Sequence, residues 1–178
     1  MATRAAQSGT TRDIALPGVI LGVGLGGFVD GIMLHQVLQW HHMLSGTDSD
    51  NIGVRYYPTD TVPGLRMNTL WDGFFHVFTW TAVLVGLAML YSRMSHRRRN
   101  VWASRALWGW ALVGWGLFNL VEGVIDHHIL AIHHVRRGPY QTWWDVGFLV
   151  LGALLVAGGW LLQRGAGRLH AEPSGSAA

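Results

Sequence analysis

Histidine and carboxylate residues recur in this chain at spacings that suit metal coordination. Asp30 and His35 lie within one apolar run, with His41 and His42 just beyond it. His76 stands one helical turn after Asp72, and a second dense stretch holds Glu122, Asp126, His127 and His128. His133, His134 and Asp145 follow, and of the ten histidines only His96 and His170 fall elsewhere. Imidazole suits zinc, copper and iron, while mixed imidazole–carboxylate sets suit iron, manganese or zinc. The residues name no particular metal. Met33, Met43 and Met67 add some weight to copper, since thioethers favour Cu(I), although methionines also fill gaps between helices.

Helical spacing arranges these groups. On a continuous helix His35, Gln39 and His42 share a face, as do Asp72 and His76, and as do Asn119, Glu122 and Asp126. A carboxylate one turn from a histidine either ligates beside it or holds its second ring nitrogen. The expected primary ligands are Asp30, His35, Asp72, His76, Glu122 and His127. His42 and His134 come next, as further ligands or as a pair through which metal arrives, and Asp126 and Asp145 complete the set.

The elements that carry them are apolar helices. Only 13% of the residues are charged, against roughly 25% in a soluble domain. A bilayer core needs about 20 apolar residues in a helix. Four segments meet that length: Ile14 to Met43, Leu70 to Tyr91, Ala106 to His128, and Thr142 to Leu162. Stretches such as Val146 to Leu162 lack the polar face that a soluble bundle requires. The fold expected is an all-α integral membrane protein with four transmembrane helices. The first segment, long and carrying Asp30, reads as a span and not as a cleavable signal.

The two halves resemble each other. Val29-Asp-Gly-Ile-Met-Leu-His-Gln-Val-Leu-Gln-Trp-His-His42 aligns without a gap on Val121-Glu-Gly-Val-Ile-Asp-His-His-Ile-Leu-Ala-Ile-His-His134. Asp30 matches Glu122, His35 matches His127, and His41 and His42 match His133 and His134. Thr69-Leu-Trp-Asp72 likewise matches Thr142-Trp-Trp-Asp145. Two matched helices in order imply tandem two-helix repeats, both entering the membrane from the same side. The expected organisation is a tail over 1–13, a first unit over 14–94 with a long outer loop over 44–69, and a basic loop over 95–105. A second unit covers 106–163, and a disordered tail 164–178.

Arginine supplies every basic residue, and the cluster Arg93, Arg97, Arg98, Arg99 and Arg105 lies between the halves. With Arg4, Arg12, Arg164 and Arg168 this places both termini and the middle loop in the cytoplasm. Arg136 and Arg137 oppose that bias without reversing it. Basic residues at helix ends describe topology and exclude a nucleic-acid surface. With no cysteine, thiolate sites and disulfides are excluded.

Depth then follows. His35 lies about 31 Å along the first helix from Ile14, near the outer edge of the hydrocarbon, and Asp30 roughly 7 Å deeper. The polar groups of all four helices thus form one layer in the outer half. Charges there must face inward and find partners. A transition metal site is the leading reading, serving either metal handling or metal-dependent redox chemistry. As a handling protein it would pass metal to another membrane or periplasmic protein. As an oxidoreductase it would keep an open coordination position and an apolar pocket for a lipid-like or quinone substrate. Two alternatives stand beside it: haem held between His35 and His127, and a metal-free polar network closed by Arg136 or Arg137. The metal, the number of ions and the oligomeric state stay open at this level.

The segments Gly27-Phe-Val-Asp-Gly31, His35-Gln-Val-Leu-Gln-Trp-His-His42, Trp71-Asp-Gly-Phe-Phe-His76 and Glu122-Gly-Val-Ile-Asp-His-His128 resemble a family of bacterial predicted membrane proteins known as a domain of unknown function. The resemblance spans nearly the whole chain except its tails. It implies four helices and a bacterial inner membrane, and brings no activity with it.

Overall fold

A computed structural model describes residues 14–46, 55–95 and 104–166. The expected tail over 1–13, residues 167–178 of the expected tail over 164–178, and most of the basic middle loop lie outside the described residues, while 164–166 belong to the last helix. Those described are helical with no strand. Helix α1 spans Ala15–Val29 and runs on as a wide π-helical segment, Asp30–Val37. Helix α2 spans Val62–Ser95. Helix α3, Arg105–Glu122, also runs on as a π-helical segment, Gly123–Ile129, and α4 spans Gln141–Ala166. All 4 are long and apolar enough to cross a membrane.

Local chemistry sets their ends. The Ser104 hydroxyl accepts from Leu107 N at 3.1 Å, capping α3. The Thr61 hydroxyl accepts from Gly64 N at 3.2 Å, and Pro63 in the first turn needs no amide partner, so α2 begins at Val62. That corrects the expectation of a span starting at Leu70. Residues 62–69, expected in the outer loop over 44–69, coil as the first turns of a long helix. Arg93 and Arg164 lie in the last turns of α2 and α4, where a cation meets the negative end of the helix dipole.

Helices α1 and α3 form the central pair, with α2 packed on α1 and α4 on α3. Burial follows that order, at 50% and 44% for the central spans but 17% and 22% for the outer ones. The central crossing is very close. A Cβ on Gly22 would meet Ala111 O at 1.9 Å, and one on Gly114 would meet Val19 O at 2.0 Å. Hydrogen at these two positions lets the backbones touch.

Neither central helix continues as far as its apolar pattern suggests. Leu38 N bonds Met33 O and Leu130 N bonds Ile125 O, both i to i+5. Then Gln39 and Ala131 take φ of 50° and 49°, in the left-handed region, and the chain turns back. The expected shared face of His35, Gln39 and His42 is therefore not formed, because the helix ends before Gln39. The turning segments fold over the bundle end and bond to each other through Gly46 N and Ile132 O at 2.6 Å. Asn68, fully buried, fixes the first of them by accepting from Leu44 N at 2.9 Å and donating to Tyr57 O at 2.8 Å.

Candidate metal centre

The reversals at Gln39 and Ala131 aim His41 and His133 back into the bundle, where they meet the ends of α1 and α3. His35, His41, His127 and His133 form one buried group, each 3% exposed or less. Ring centroids are 4.4 Å apart for His35 and His41, and 5.0 Å for His127 and His133. Phe75 stacks on His35 at 5.6 Å, and Phe148 leans on His127 at 5.4 Å. Asp30 and Glu122, also buried, face this group from deeper in α1 and α3.

Hydrogen bonds fix which nitrogens look inward. His41 Nδ1 donates to Val135 O at 2.9 Å, and His133 Nδ1 lies 3.4 Å from Met43 O. A neutral imidazole with a proton on Nδ1 has a lone pair on Nε2. Burial, with His35 alongside, pushes His41 down to about 4, so it is neutral at neutral pH. Burial likewise takes His133 well below its ordinary value. Among the described residues both Nε2 atoms are buried with no hydrogen-bond partner, as are His127 Nε2 and Glu122 Oε2, while His35 Nε2 faces Asp30 Oδ2. Leaving such atoms unpaired costs roughly 1–3 kcal/mol each. Lone pairs directed at one another repel unless a cation or a proton lies between them.

Donor atoms of His35, His41 and His133 lie within 4.8 Å of one another, as do those of Glu122, His127 and His133. Either set offers three protein ligands from buried side chains, a number compatible with an open position for a further ligand. His35 Nε2 also lies 3.1 Å from Asp30 Oδ2.

A second set of residues holds this one in place. Asp72 accepts from His35 Nδ1 at 3.0 Å, from His42 Nδ1 at 2.5 Å and from Met43 N at 3.0 Å. Asp145 accepts from His134 Nδ1 at 2.7 Å and from Val135 N at 3.0 Å, with His127 Nδ1 at 3.5 Å. The two aspartates thus orient histidines and pin the turning segments.

The sequence-derived ligands therefore divide. Asp30, His35, Glu122 and His127 converge at the centre. Asp72, Asp145, His42 and His134 lie one step out, as their supports. His76 donates Nδ1 to its own helix carbonyl at Asp72, at 2.6 Å. Asp126 opens instead to a lateral cavity shared with Glu122. His41 and His133, which the expected ligand set leaves out, are buried in the cluster. The signal that finds them is their mutual alignment as first members of matched His-His pairs. Met33 is 43% exposed. Arg136 sits over the Trp40 and Trp144 rings at 5.1 and 5.7 Å, outside the histidine cluster.

Fold and site together define an all-helical membrane protein with a buried histidine–carboxylate cluster at one end of its bundle. The chain belongs to the family of predicted membrane proteins designated DUF2243, which it matches over residues 17–166. No curated protein and no solved structure matches it.

Proposed function

We propose that this protein binds a transition metal ion through its histidine–carboxylate cluster and uses it in redox chemistry within a bacterial inner membrane. The carrying observation is the convergence of buried donor atoms: Nε2 of His41, His127 and His133 and an oxygen of Glu122, without hydrogen-bond partners among the described residues, beside the His35–Asp30 pair. Imidazole-rich sets with carboxylates suit copper, zinc or iron. Among these, copper and iron change oxidation state.

The bundle is read as a duplication. Its supports are the aligned sequence and the matched contacts: the paired i to i+5 bonds, the two left-handed residues, and the reciprocal approach of Gly22 and Gly114. The arginine distribution puts the site on the extracytoplasmic side, with both termini inside. The units run over 14–94 and 106–163, joined by the cytoplasmic basic loop.

Burial of His41, His42, His133 and His134 favours a resident ion over one passed to a metal-receiving protein, since delivery needs exposed ligands. Haem is disfavoured because the His41 and His133 rings, stacked at 4.8 Å, fill the space a porphyrin would need between His35 and His127. A metal-free network is disfavoured by the orphaned atoms, which such a network would have paired.

Elemental analysis of detergent-purified protein, beside a His35→Ala/His127→Ala variant, is the test. Near-stoichiometric metal in the wild type, resistant to chelators and lost in the folded variant, is expected. Equal metal content in both, or none after reconstitution with copper, zinc, iron and manganese, would sink the reading.

A further inference from the structure

A cavity of about 390 Å³ opens on the side of the bundle between α1 and α4, a volume in the range of small-molecule sites. Its walls include the indoles of Trp40, Trp115 and Trp144 and the ring of Phe148, and its polar lining comes from Asp30 and Asn119. Val29 and Leu151, on its rim, are 42% and 47% exposed in the middle of apolar spans, so the mouth faces hydrocarbon. At the bundle end the Arg136 guanidinium covers both Trp40 and Trp144, whose rings are 5.1 Å apart. A ligand entering here comes from the bilayer.

The opposite flank carries a matching cavity of about 330 Å³ between α2 and α3, with different chemistry. Where the first has Trp115, this one has Val23, and it sets Asp126 beside Glu122 with no indole or amide in its lining. The flanks have thus diverged, and only one combines flat aromatic walls with a neutral amide. Indole faces favour a flat ring. At the inner end the Asn119 amide can donate to a ring carbonyl and the Asp30 carboxylate can accept from a ring hydroxyl, and a site built to do so discriminates strongly against analogues lacking them.

We propose that the α1–α4 cavity binds the head group of a lipid-soluble quinone or quinol, its tail remaining in the bilayer. Asp30 belongs both to this cavity and to the metal cluster, so the inference deepens the redox reading and places the organic ring beside the ion. Asn119 is the specificity-determining residue, and Trp115 supplies the inner stacking wall.

The test uses the full chain in lipid nanodiscs, titrated with a decyl-substituted benzoquinone and followed by calorimetry, with metal content measured on the same samples. Saturable binding is expected, about tenfold or more weaker in Asn119→Leu and in Trp115→Leu, and unchanged in Phe78→Leu on the opposite flank. Helical circular dichroism and monodisperse elution establish that each variant is folded. Equal affinity in folded Asn119→Leu and wild type would overturn the proposal. So would equal competition by 1-decanol, which would make the cavity a groove for acyl chains. Quinone binding that persists after chelation supports this site independently of the metal. Loss of metal alone would fail the metal reading while leaving this one standing.

Discussion

His41 and His133 lie face to face, their ring centroids 4.8 Å apart and their planes 5° from parallel. Each directs Nδ1 at a carbonyl in the other turning segment, His41 at Val135 and His133 at Met43. Each ring is therefore oriented by the half of the protein to which it does not belong. Neither half builds the inner face of the cluster alone.

This pair separates the inner ligands from their supports. His41→Ala/His133→Ala is expected to abolish metal retention, with folded yield kept. His42→Ala/His134→Ala, removing rings whose Nδ1 atoms bond Asp72 and Asp145, is expected to retain metal at lower affinity. Metal content after dialysis reads the difference, and the reverse order would contradict the assignment.

On the proposed reading, Asp72 and Asp145 would act on a bound ion through the histidines they hold. Substituting a carboxylate that orients a ligand typically costs 10–100-fold in metal affinity. Asp72→Asn and Asp145→Asn should each fall in about that range by competition with a chromogenic chelator. No change in either would show that the rings are held by packing alone.

The central crossing makes a stability prediction. Gly22→Ala places a methyl at 1.9 Å from Ala111 O, so α1 and α3 must separate. Overpacking of this kind costs about 1–3 kcal/mol. Gly158→Ala, which meets nothing within 4 Å, is the control. Thermal unfolding in detergent should show a lower midpoint for the first and none for the second.

The left-handed residues at Gln39 and Ala131 are strained for side chains with a Cβ, by roughly 1–2 kcal/mol each. Ala131→Gly should relieve part of that strain and keep the metal. Ala131→Val should displace His133 and lose it. Metal content and thermal midpoint together report both effects, and a metal-replete Ala131→Val protein would count against the turn as the positioning device.

The four spans and the gathering of polar groups at one bundle end are legible in the sequence. Charge is scarce and clustered, and helix rise converts position into depth. The ligand geometry is less so. Periodicity extends a helix while apolar residues continue, and Leu38 and Trp40 keep the pattern alive past the true end. Nothing in Gln39 or Ala131 announces a left-handed turn, since glycine is the usual signal. Extending the helix leaves His41 and His133 out of the expected ligand set, although they are the more deeply buried members of the two His-His pairs. Asn68 is illegible for a related reason: it bonds to Leu44 and Tyr57, in a loop remote in sequence, which spacing alone does not reveal.

The wide segments that end α1 and α3 set a rotational phase. Each residue of an ordinary helix advances the side-chain direction by about 100°. Losing one residue between Asp30 and His35 would let the coil tighten to regular pitch and swing His35 off the shared axis toward lipid, leaving composition and hydropathy almost untouched. The segment from Asp30 to Val37 is therefore a place where a single-codon deletion should silence the protein without unfolding it, and where relatives should differ by substitution but keep their length.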